Sequence, residues 1–208
     1  FAEKKTTPTQ FLERLMAVHE GYAPQVSRNL MNLLSSHDTP RFLTACGNDA
    51  ALHRLAATVQ FTWVGAPSVY YGEELGMEGG MDPDNRRGMR WDLAKGDNPM
   101  LRHYKRLIAL RRARPALQSG DPAVLLADDA AGILAYSRTL GADCAVVALN
   151  RSAAPRRVRV PLPAPLRAGK RAKGTLSDAL SNRKYPVAPG QTHLSLDLPP
   201  LGAAVLVR

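Results

Sequence analysis

The sequence predicts an α/β segment followed by an all-β segment. Two largely apolar runs of strand length, residues 31–36 and 67–72, are separated by a helix-length segment, and acidic residues follow both. Runs without polar alternation are typical of parallel strands buried on both faces. Beyond residue 118, short runs of period two are separated by Gly, Pro, Asp and Asn, which is typical of an antiparallel β-sandwich. The sequence therefore predicts two domains, residues 1–117 and residues 118–208.

The first two helices are predicted from their capping signals. Residues 7–10, Thr-Pro-Thr-Gln, have the pattern of a capping box with Pro at the first helical position, and apolar residues then repeat at helical spacing as far as Gly21. Asn48 or Asp49 can cap a second helix, which Gly65 ends before the next strand. The apolar stripe of this second helix consists of Leu52, Leu55, Ala56, Val59 and Trp63.

A long loop and a third helix complete the first segment. Residues 73–98 are rich in Gly, Asp, Asn and Arg and have no sustained period, which predicts a loop of a length that is usually functional. The third helix begins at Asn98 and Pro99 and ends in arginines before Pro115, where cations suit the helix dipole. The strands predicted for the second segment are 124–126, 133–137, 145–149, 158–162, 194–198 and 203–207.

Composition excludes several classes of protein. With 208 residues and 45% apolar composition the chain can bury a substantial core. It has no uninterrupted apolar stretch of about 18 residues, which a membrane span requires. Cys46 and Cys144 lie far apart without zinc-ligand spacing, so two buried thiols are predicted rather than a metal site or a disulfide framework.

The net charge of +10 raises the question of a nucleic-acid partner. The densest basic tract, residues 151–173, contains no aromatic residue that would stack on a base. Part of it alternates Arg and Val, as in a strand with one solvated face. No nucleic-acid partner is therefore predicted. The basic residues of the tract include Arg156, Arg157, Arg159, Arg167, Lys170, Arg171 and Lys173.

Polar side chains follow both predicted parallel strands, in the position where α/β barrels carry their chemistry. A closed barrel needs eight strands and about 250 residues, so the first segment is predicted to be the last quarter of one. His37 and Asp38 follow the first strand, although such a pair can also simply cap a turn. Glu73 and Glu74 follow the second, but adjacent residues leaving a strand point to opposite sides. Structural roles are therefore favoured for this second pair over an acid/base role.

Three stretches resemble the α-amylase superfamily of glycoside hydrolases (family 13), most closely its neopullulanase, cyclomaltodextrinase and maltogenic amylase branch. They are MNLLSSHDTPR at 31–41, GAPSVYYGEELGM at 65–77 and DPDNRR at 82–87. The resemblance extends from about residue 7 to the end of the chain. It implies the last two βα units of a TIM (β/α)8 barrel followed by an antiparallel β-sandwich C-terminal domain. It also implies a retaining hydrolase of α-1,4 linkages in maltodextrin, cyclodextrin or pullulan, with α-1,6 linkages as a further candidate.

The resemblance also assigns roles to four side chains. Asp38 matches the family's transition-state-stabilising carboxylate, and His37 matches the neighbouring histidine that binds a sugar hydroxyl. Glycoside cleavage passes through an oxocarbenium-like state, in which hydrogen bonds to the sugar hydroxyls strengthen. Asp82 and Arg86 match positions that contact glucose units on the non-reducing side of the cleaved bond. A loop ion pair is the alternative interpretation of Asp82 and Arg86.

Four aromatic residues are candidates for stacking on a sugar ring. Trp63 lies on the predicted stripe of the second helix, and Tyr70 and Tyr71 lie in the second predicted strand. Aromatic residues in such elements usually belong to the core. Only Trp91, in the long loop, stays a candidate.

The resemblance also indicates what the chain lacks. A retaining glycosidase needs a nucleophile and an acid/base about 5 to 5.5 Å apart. In this family both follow barrel strands four and five, which have no counterpart here. The chain alone is therefore expected to be inactive. A non-catalytic carbohydrate-binding fragment is the alternative function, and an interaction module that uses the basic sandwich is a third.

The expected partners are an α-glucan oligosaccharide and the missing N-terminal barrel segment of the same enzyme. The chain begins with Phe1 rather than Met, so its native start is expected to be missing. No cofactor and no metal are assigned. By the resemblance, the complete enzyme is expected to be cytoplasmic and to form a homodimer.

Overall fold

A computed structural model describes residues 6–167 and 174–208. The helices are α1 Pro8–Glu20, α2 Pro24–Ser27, α3 Phe42–Ala45, α4 Ala50–Thr62, α5 Pro99–Ala113 and α6 Pro115–Ser119. The strands are β1 Met31–Leu33, β2 Ala66–Ser68, β3 Asp121–Asp128, β4 Ile133–Leu140, β5 Asp143–Asn150, β6 Arg156–Pro161, β7 Gly174–Asp178, β8 Lys184–Val187, β9 His193–Leu198 and β10 Gly202–Val207. Short 3-10 turns occur at Glu73–Leu75, Asp84–Arg86 and Ala164–Leu166.

The three predicted helices are present with the predicted caps. The Thr7 hydroxyl accepts from the Gln10 amide, and the Gln10 side chain accepts from the Thr7 amide, which is a complete capping box. Asp49, rather than Asn48, caps α4 by accepting from two amides of its first turn. Asn98 caps α5 in the same manner. These signals are local in sequence, so each helix start follows from the residues beside it.

Strands β1 and β2 form a parallel pair. Met31 lies opposite Ala66, and Leu33 lies opposite Ser68. Among the described residues β1 hydrogen-bonds to β2 alone. The side chains of Met31 and Leu33 are 64% and 43% exposed. Within the described part of the chain, strand β1 therefore has one unpaired edge, and its apolar side chains are exposed to solvent.

The second parallel strand is shorter than predicted. Strand β2 ends at Ser68, so Tyr70 and Tyr71 lie beyond it, and the prediction that both belong to a strand in the core is wrong. The Ser68 carbonyl accepts from the Gln60 side chain of α4 rather than continuing a ladder. The chain then turns at Gly72, whose φ of 84° favours glycine, into the 3-10 turn Glu73–Leu75.

The antiparallel sheet predicted for the second segment is confirmed. Six strands pair in the order β3-β4-β5-β10-β7-β8, and β6 and β9 form a separate antiparallel pair. A hydrophobic core lies between the two sheets, with Ile133, Val146 and Leu206 from the larger one facing Val160 and Leu196 from the smaller one. Two strands, β7 and β8, were not predicted. Both are short and carry Gly, Ser, Lys or Pro, and an edge strand such as β8 tolerates its Pro186.

The other face of the six-stranded sheet packs against the helices. Leu134, Tyr136 and Val147 share one buried cluster with Leu55 and Trp63. Strands β4 and β5 are therefore buried on both faces, unlike a sandwich strand with one solvated side. The helical segment and the sheet segment have a common core.

The structure shows the surroundings of part of the basic tract and of both cysteines. Arg157 and Arg159 are exposed while Val158 and Val160 are buried, so β6 has the predicted solvated basic face. Three further basic residues of the tract lie outside the described residues: Lys170, Arg171 and Lys173. Both Cys46 and Cys144 are buried free thiols, as predicted. Within residues 6–167 and 174–208, no helix has the length and apolarity needed to cross a bilayer.

Candidate active site

The turn after β1 carries His37 and Asp38 into solvent. The Ser36 amide donates to the Thr39 hydroxyl over 2.9 Å, and the Asp38 amide donates to the Ser36 hydroxyl over 3.1 Å. The side chains of His37 and Asp38 are 62% and 72% exposed, and His37 Nε2 lies 3.3 Å from Asp38 Oδ2. Both polar groups are therefore accessible to a ligand beside the carboxyl end of β1.

Arg86 joins this turn to the long loop. Its Nη2 lies 3.9 Å from Asp38 Oδ1, and its Nε lies 2.7 Å from Asp82 Oδ1. The loop ion pair given above as an alternative is thus present, and its two side chains are about half exposed. Exposed ion pairs contribute little to stability, so polar groups of a ligand can compete for these side chains at small cost. The structure brings the four predicted site residues together in one cluster.

The side chain of Asn85 is hydrogen-bonded to the backbone of the same turn. This side chain is fully buried, and its Nδ2 donates to the carbonyls of His37 and Thr39, both over 2.8 Å. A longer contact of 3.4 Å reaches the carbonyl of Ser36. Asn85 was not predicted as a site residue, because the sequence around an asparagine in a polar loop does not show which carbonyl groups its amide will contact.

A buried ionic group lies beneath the turn. Glu73 is 2% exposed and accepts from the Ser35 hydroxyl over 2.5 Å and from the Phe42 amide over 3.2 Å. Arg41 is fully buried, with Nη1 at 3.9 Å from Glu73 Oε1, and it also donates to the Tyr71 carbonyl. Glu73 therefore connects Ser35, two residues after β1, with the 3-10 turn after β2, which is a structural role, as favoured above.

Burial controls the charge states of this group. Desolvation raises the pKa of Glu73, and the hydrogen bonds from Ser35 and Phe42 and the positive charge of Arg41 oppose that shift. Desolvation also lowers the pKa of His53 to about 4, so that imidazole is neutral at pH 7. His53 Nε2 lies 3.0 Å from the Tyr104 hydroxyl and 3.3 Å from Glu73 Oε2. His53 therefore contributes a neutral imidazole to this group, beside the facing side chains of Arg41 and Glu73.

Tyr70 and Tyr71 stack on Arg41 instead of filling a strand core. The Arg41 guanidinium lies 4.2 Å from the Tyr70 ring centroid and 4.4 Å from that of Tyr71. Cation–π contacts of this kind stabilise a buried guanidinium. The Tyr71 hydroxyl donates to the Arg87 carbonyl over 2.7 Å and so connects this stack to the long loop.

The two tryptophans differ sharply in exposure. Trp63 is 5% exposed, and its ring lies 4.9 Å from that of Tyr136, so it belongs to the core as predicted. Trp91 is 68% exposed in the loop, between Arg90 and Asp92, which form an ion pair. Trp91 therefore stays a candidate for contact with a ligand.

The exposed cluster offers hydrogen-bond acceptors on two carboxylates and donors on a guanidinium and an imidazole. This set suits hydroxyl groups on a polar ligand. Among residues 6–167 and 174–208, no group of His, Cys, Asp and Glu has an arrangement that would hold a metal ion.

Sequence comparison identifies the family. Residues 3–97 match the family described as alpha amylase, catalytic domain, and residues 123–205 match maltogenic amylase, C-terminal domain. The chain belongs to the α-amylase superfamily of glycoside hydrolases. Both matches lie in the order that the resemblance implied.

Several relatives of this superfamily member align along nearly the whole chain. A cyclomaltodextrinase of Geobacillus thermopakistaniensis is 40% identical over 97% of the chain and 33% of its own length. Neopullulanase 2 of Thermoactinomyces vulgaris is 36% identical over 94% of the chain and 32% of its own length. A debranching enzyme of Nostoc punctiforme superposes with a TM-score of 0.80 at 31% identity, over 97% of this chain and 40% of that one. The chain spans about a third of the length of these two curated relatives.

Proposed function

We propose that this chain supplies the last two βα units of a (β/α)8 barrel, residues 1–117, and the C-terminal β-sandwich domain, residues 118–208, of a retaining α-glucan hydrolase. In this proposal, β1 and β2 are barrel strands seven and eight. The substrate is a maltodextrin, cyclodextrin or pullulan cleaved at α-1,4 linkages, with α-1,6 linkages as a further candidate. The nucleophile and the acid/base come from a segment that the chain does not contain.

Asp38 is the proposed transition-state stabiliser. As positive charge develops on the glucose ring, an ionised Asp38 accepts hydrogen bonds from sugar hydroxyls, and these bonds strengthen in the transition state. His37 donates to a neighbouring hydroxyl. Asp82 and Arg86 bind glucose units on the non-reducing side, after their mutual ion pair opens.

One observation carries this proposal. The exposed side chains of His37, Asp38, Asp82 and Arg86 form a single cluster beside the carboxyl end of β1, although Asp38 and Asp82 are 44 positions apart in the sequence. A barrel enzyme builds its site at this end of its strands. The unpaired edge of β1 and the exposure of Met31 and Leu33 support the proposal that further barrel strands pair there.

The test is a chimera in which this chain replaces the matching third of the Geobacillus cyclomaltodextrinase. Asp38→Asn should lower kcat on a cyclodextrin by about 10²- to 10³-fold, because it removes charge that acts on the transition state. The free energy of unfolding should change by less than about 0.5 kcal/mol, since Asp38 is exposed. Asp197→Asn, on the exposed face of β9, is the control and should leave kcat unchanged.

An unchanged kcat in Asp38→Asn, or a folded chimera without turnover, would refute the proposed role. The isolated chain should not hydrolyse the same substrates, because the proposed nucleophile and acid/base lie outside it. If the chain is instead a carbohydrate-binding fragment, calorimetry with maltotriose will detect binding to the chain alone that Arg86→Ala abolishes. A cytoplasmic location and a homodimer of the complete enzyme are part of the proposal on the strength of the family resemblance.

A further inference from the structure

We propose that Asn85 is a positioning residue, which holds the His37–Asp38 turn at a fixed place relative to the loop that carries Asp82 and Arg86. The proposal rests on the proposed function, because it treats Asp38 as a group that acts on substrate. Asn85 itself is buried beneath the turn and does not touch the ligand.

Buried contacts of Ser35 and Arg41 hold the two ends of the turn, and Asn85 holds the residues between them. The internal hydrogen bonds of the turn, from the Ser36 amide to the Thr39 hydroxyl and from the Asp38 amide to the Ser36 hydroxyl, are exposed, so water competes for them. The contacts between the side chains of His37, Asp38 and Arg86 are exposed as well. The amide of Asn85 is different, because the side chain that donates to the carbonyls of His37 and Thr39 is fully buried.

Both amide hydrogens of Asn85 are committed to the turn. The two acceptors at 2.8 Å flank Asp38 in the sequence, one on the residue before it and one on the residue after it. The Oδ1 atom of Asn85 is buried and has no hydrogen-bond partner within the described part of the chain. The side chain therefore acts as a donor to this backbone segment, so an aspartate of the same shape cannot replace it.

Asn85 is itself held in place by close backbone packing. A Cβ atom on the buried Gly79 would lie 2.9 Å from the Cα of Asn85 and 2.7 Å from the carbonyl oxygen of Asp84. The Gly79 carbonyl accepts from the Arg41 amide over 3.0 Å, three residues after Asp38. The 3-10 turn Asp84–Arg86 is thus packed against Gly79, which is hydrogen-bonded to the segment that follows the His37–Asp38 turn.

The geometry predicts how loss of these bonds affects catalysis. Asn85 and Arg86 are adjacent in the 3-10 turn Asp84–Arg86. This one turn therefore holds the backbone on both sides of Asp38 and also places the Arg86 guanidinium beside the Asp38 carboxylate. A displacement of about 1 Å at a reacting site can lower a rate by about 10²-fold. Because Asp38 is proposed to act in the transition state, loss of Asn85 should lower kcat and kcat/KM together.

The test compares Asn85→Asp with a matched control, Asn150→Asp. Asn150 is also fully buried, and its Nδ2 donates to the carbonyls of Ala154 and Pro199 over 2.8 and 2.9 Å, far along the chain in the sandwich. Each substitution keeps the shape of the side chain and removes its donors to carbonyls. Their effects on the urea midpoint should be comparable, whereas only Asn85→Asp should disturb the turn.

Two measurements are made on these variants. Hydrogen exchange of the 208-residue chain, followed by mass spectrometry on a peptide that covers residues 34–41, should be faster by about tenfold or more in Asn85→Asp and unchanged in Asn150→Asp. In the cyclomaltodextrinase chimera, Asn85→Asp should lower kcat by about 10- to 100-fold with KM within about twofold. If Asn85→Asp does not fold, Asn85→Ser, whose hydroxyl can donate one bond, gives the same comparison with smaller changes.

The outcomes separate this inference from the proposed function. Unchanged exchange of residues 34–41 overturns it directly. Faster exchange with an unchanged kcat also overturns the positioning role, provided that Asp38→Asn lowers kcat. If Asp38→Asn leaves kcat unchanged, the proposed function fails, and with it the role of Asn85 in the reaction. The exchange result then still decides whether Asn85 holds the turn.

Discussion

Removal of the Glu73 side chain tests the buried ionic group beneath the candidate site. In Glu73→Ala, the Ser35 hydroxyl and the Phe42 amide lose their acceptor, and Arg41 keeps its charge without a facing carboxylate. Removing one partner of a buried ion pair costs about 3 to 5 kcal/mol. Because the lost hydrogen bonds are part of the same interaction, we expect this total for the variant rather than a larger sum.

The assay is urea denaturation followed by circular dichroism, with the midpoint and the slope compared between variants. Asp197→Ala is the matched control, since Asp197 also faces two arginines, Arg157 at 3.9 Å and Arg183 at 3.6 Å, but is 59% exposed. Its effect should be close to zero. Glu73→Gln should cost less than Glu73→Ala, because the amide oxygen can still accept from Ser35 and because burial raises the pKa of Glu73. A midpoint for Glu73→Ala equal to that of Asp197→Ala would refute the reasoning.

Two further predictions concern pH and the core. Burial lowers the pKa of His53 and of His103 to about 4 from 6.5, so between these values the unfolded chain takes up protons that the folded chain does not. The free energy of unfolding should therefore fall as the pH is lowered from about 6.5 to about 4, and His53→Gln should reduce this slope in urea titrations at stepped pH. Trp63→Ala should destabilise the chain by about 3 to 5 kcal/mol, since it opens a cavity beside Tyr136, whereas Trp91→Ala should change the same unfolding midpoint little. Equal midpoints for the two tryptophan variants would contradict the assignment of Trp63 to the core.

The helices were predictable because their capping signals are local in the sequence. The strands were less predictable because strand pairing joins residues that are distant in the sequence. The cap of α4 at Asp49 and the capping box at Thr7 depend on residues three or fewer positions away. Strand β7 has no comparable signal, because its place is fixed by pairing with β10 and β8. Strand β2 was predicted too long because Val69, Tyr70 and Tyr71 are residue types that are common in strands. In the structure the two tyrosine rings stack on Arg41 instead.

The site was predictable in its exposed residues and not in its supporting ones. The proximity of Asp38 and Arg86 followed from a family resemblance, which compares motifs. Asn85 and Arg41 act through backbone carbonyls and aromatic rings that approach them only after folding. The local sequence around an asparagine does not show whether its amide will be solvated or buried. Its role therefore depends on contacts that form only in the folded protein.

The sheet shows why a period-two pattern alone underestimates burial. In β4, Ile133 and Ala135 face the core shared with β6 and β9, while Leu134 and Tyr136 face the helices. A sandwich strand would have polar residues at alternate positions, but both positions here are apolar. The period-two pattern indicated a sandwich only because exposed and buried residues alternate in β6 and β9. On β6, exposed arginines lie between buried valines. The run of apolar residues in β4 and β5 is therefore the signal that a second layer, to which α1, α4 and α6 contribute, covers the sheet. It couples the stability of the sheet to the helical segment that carries the candidate site.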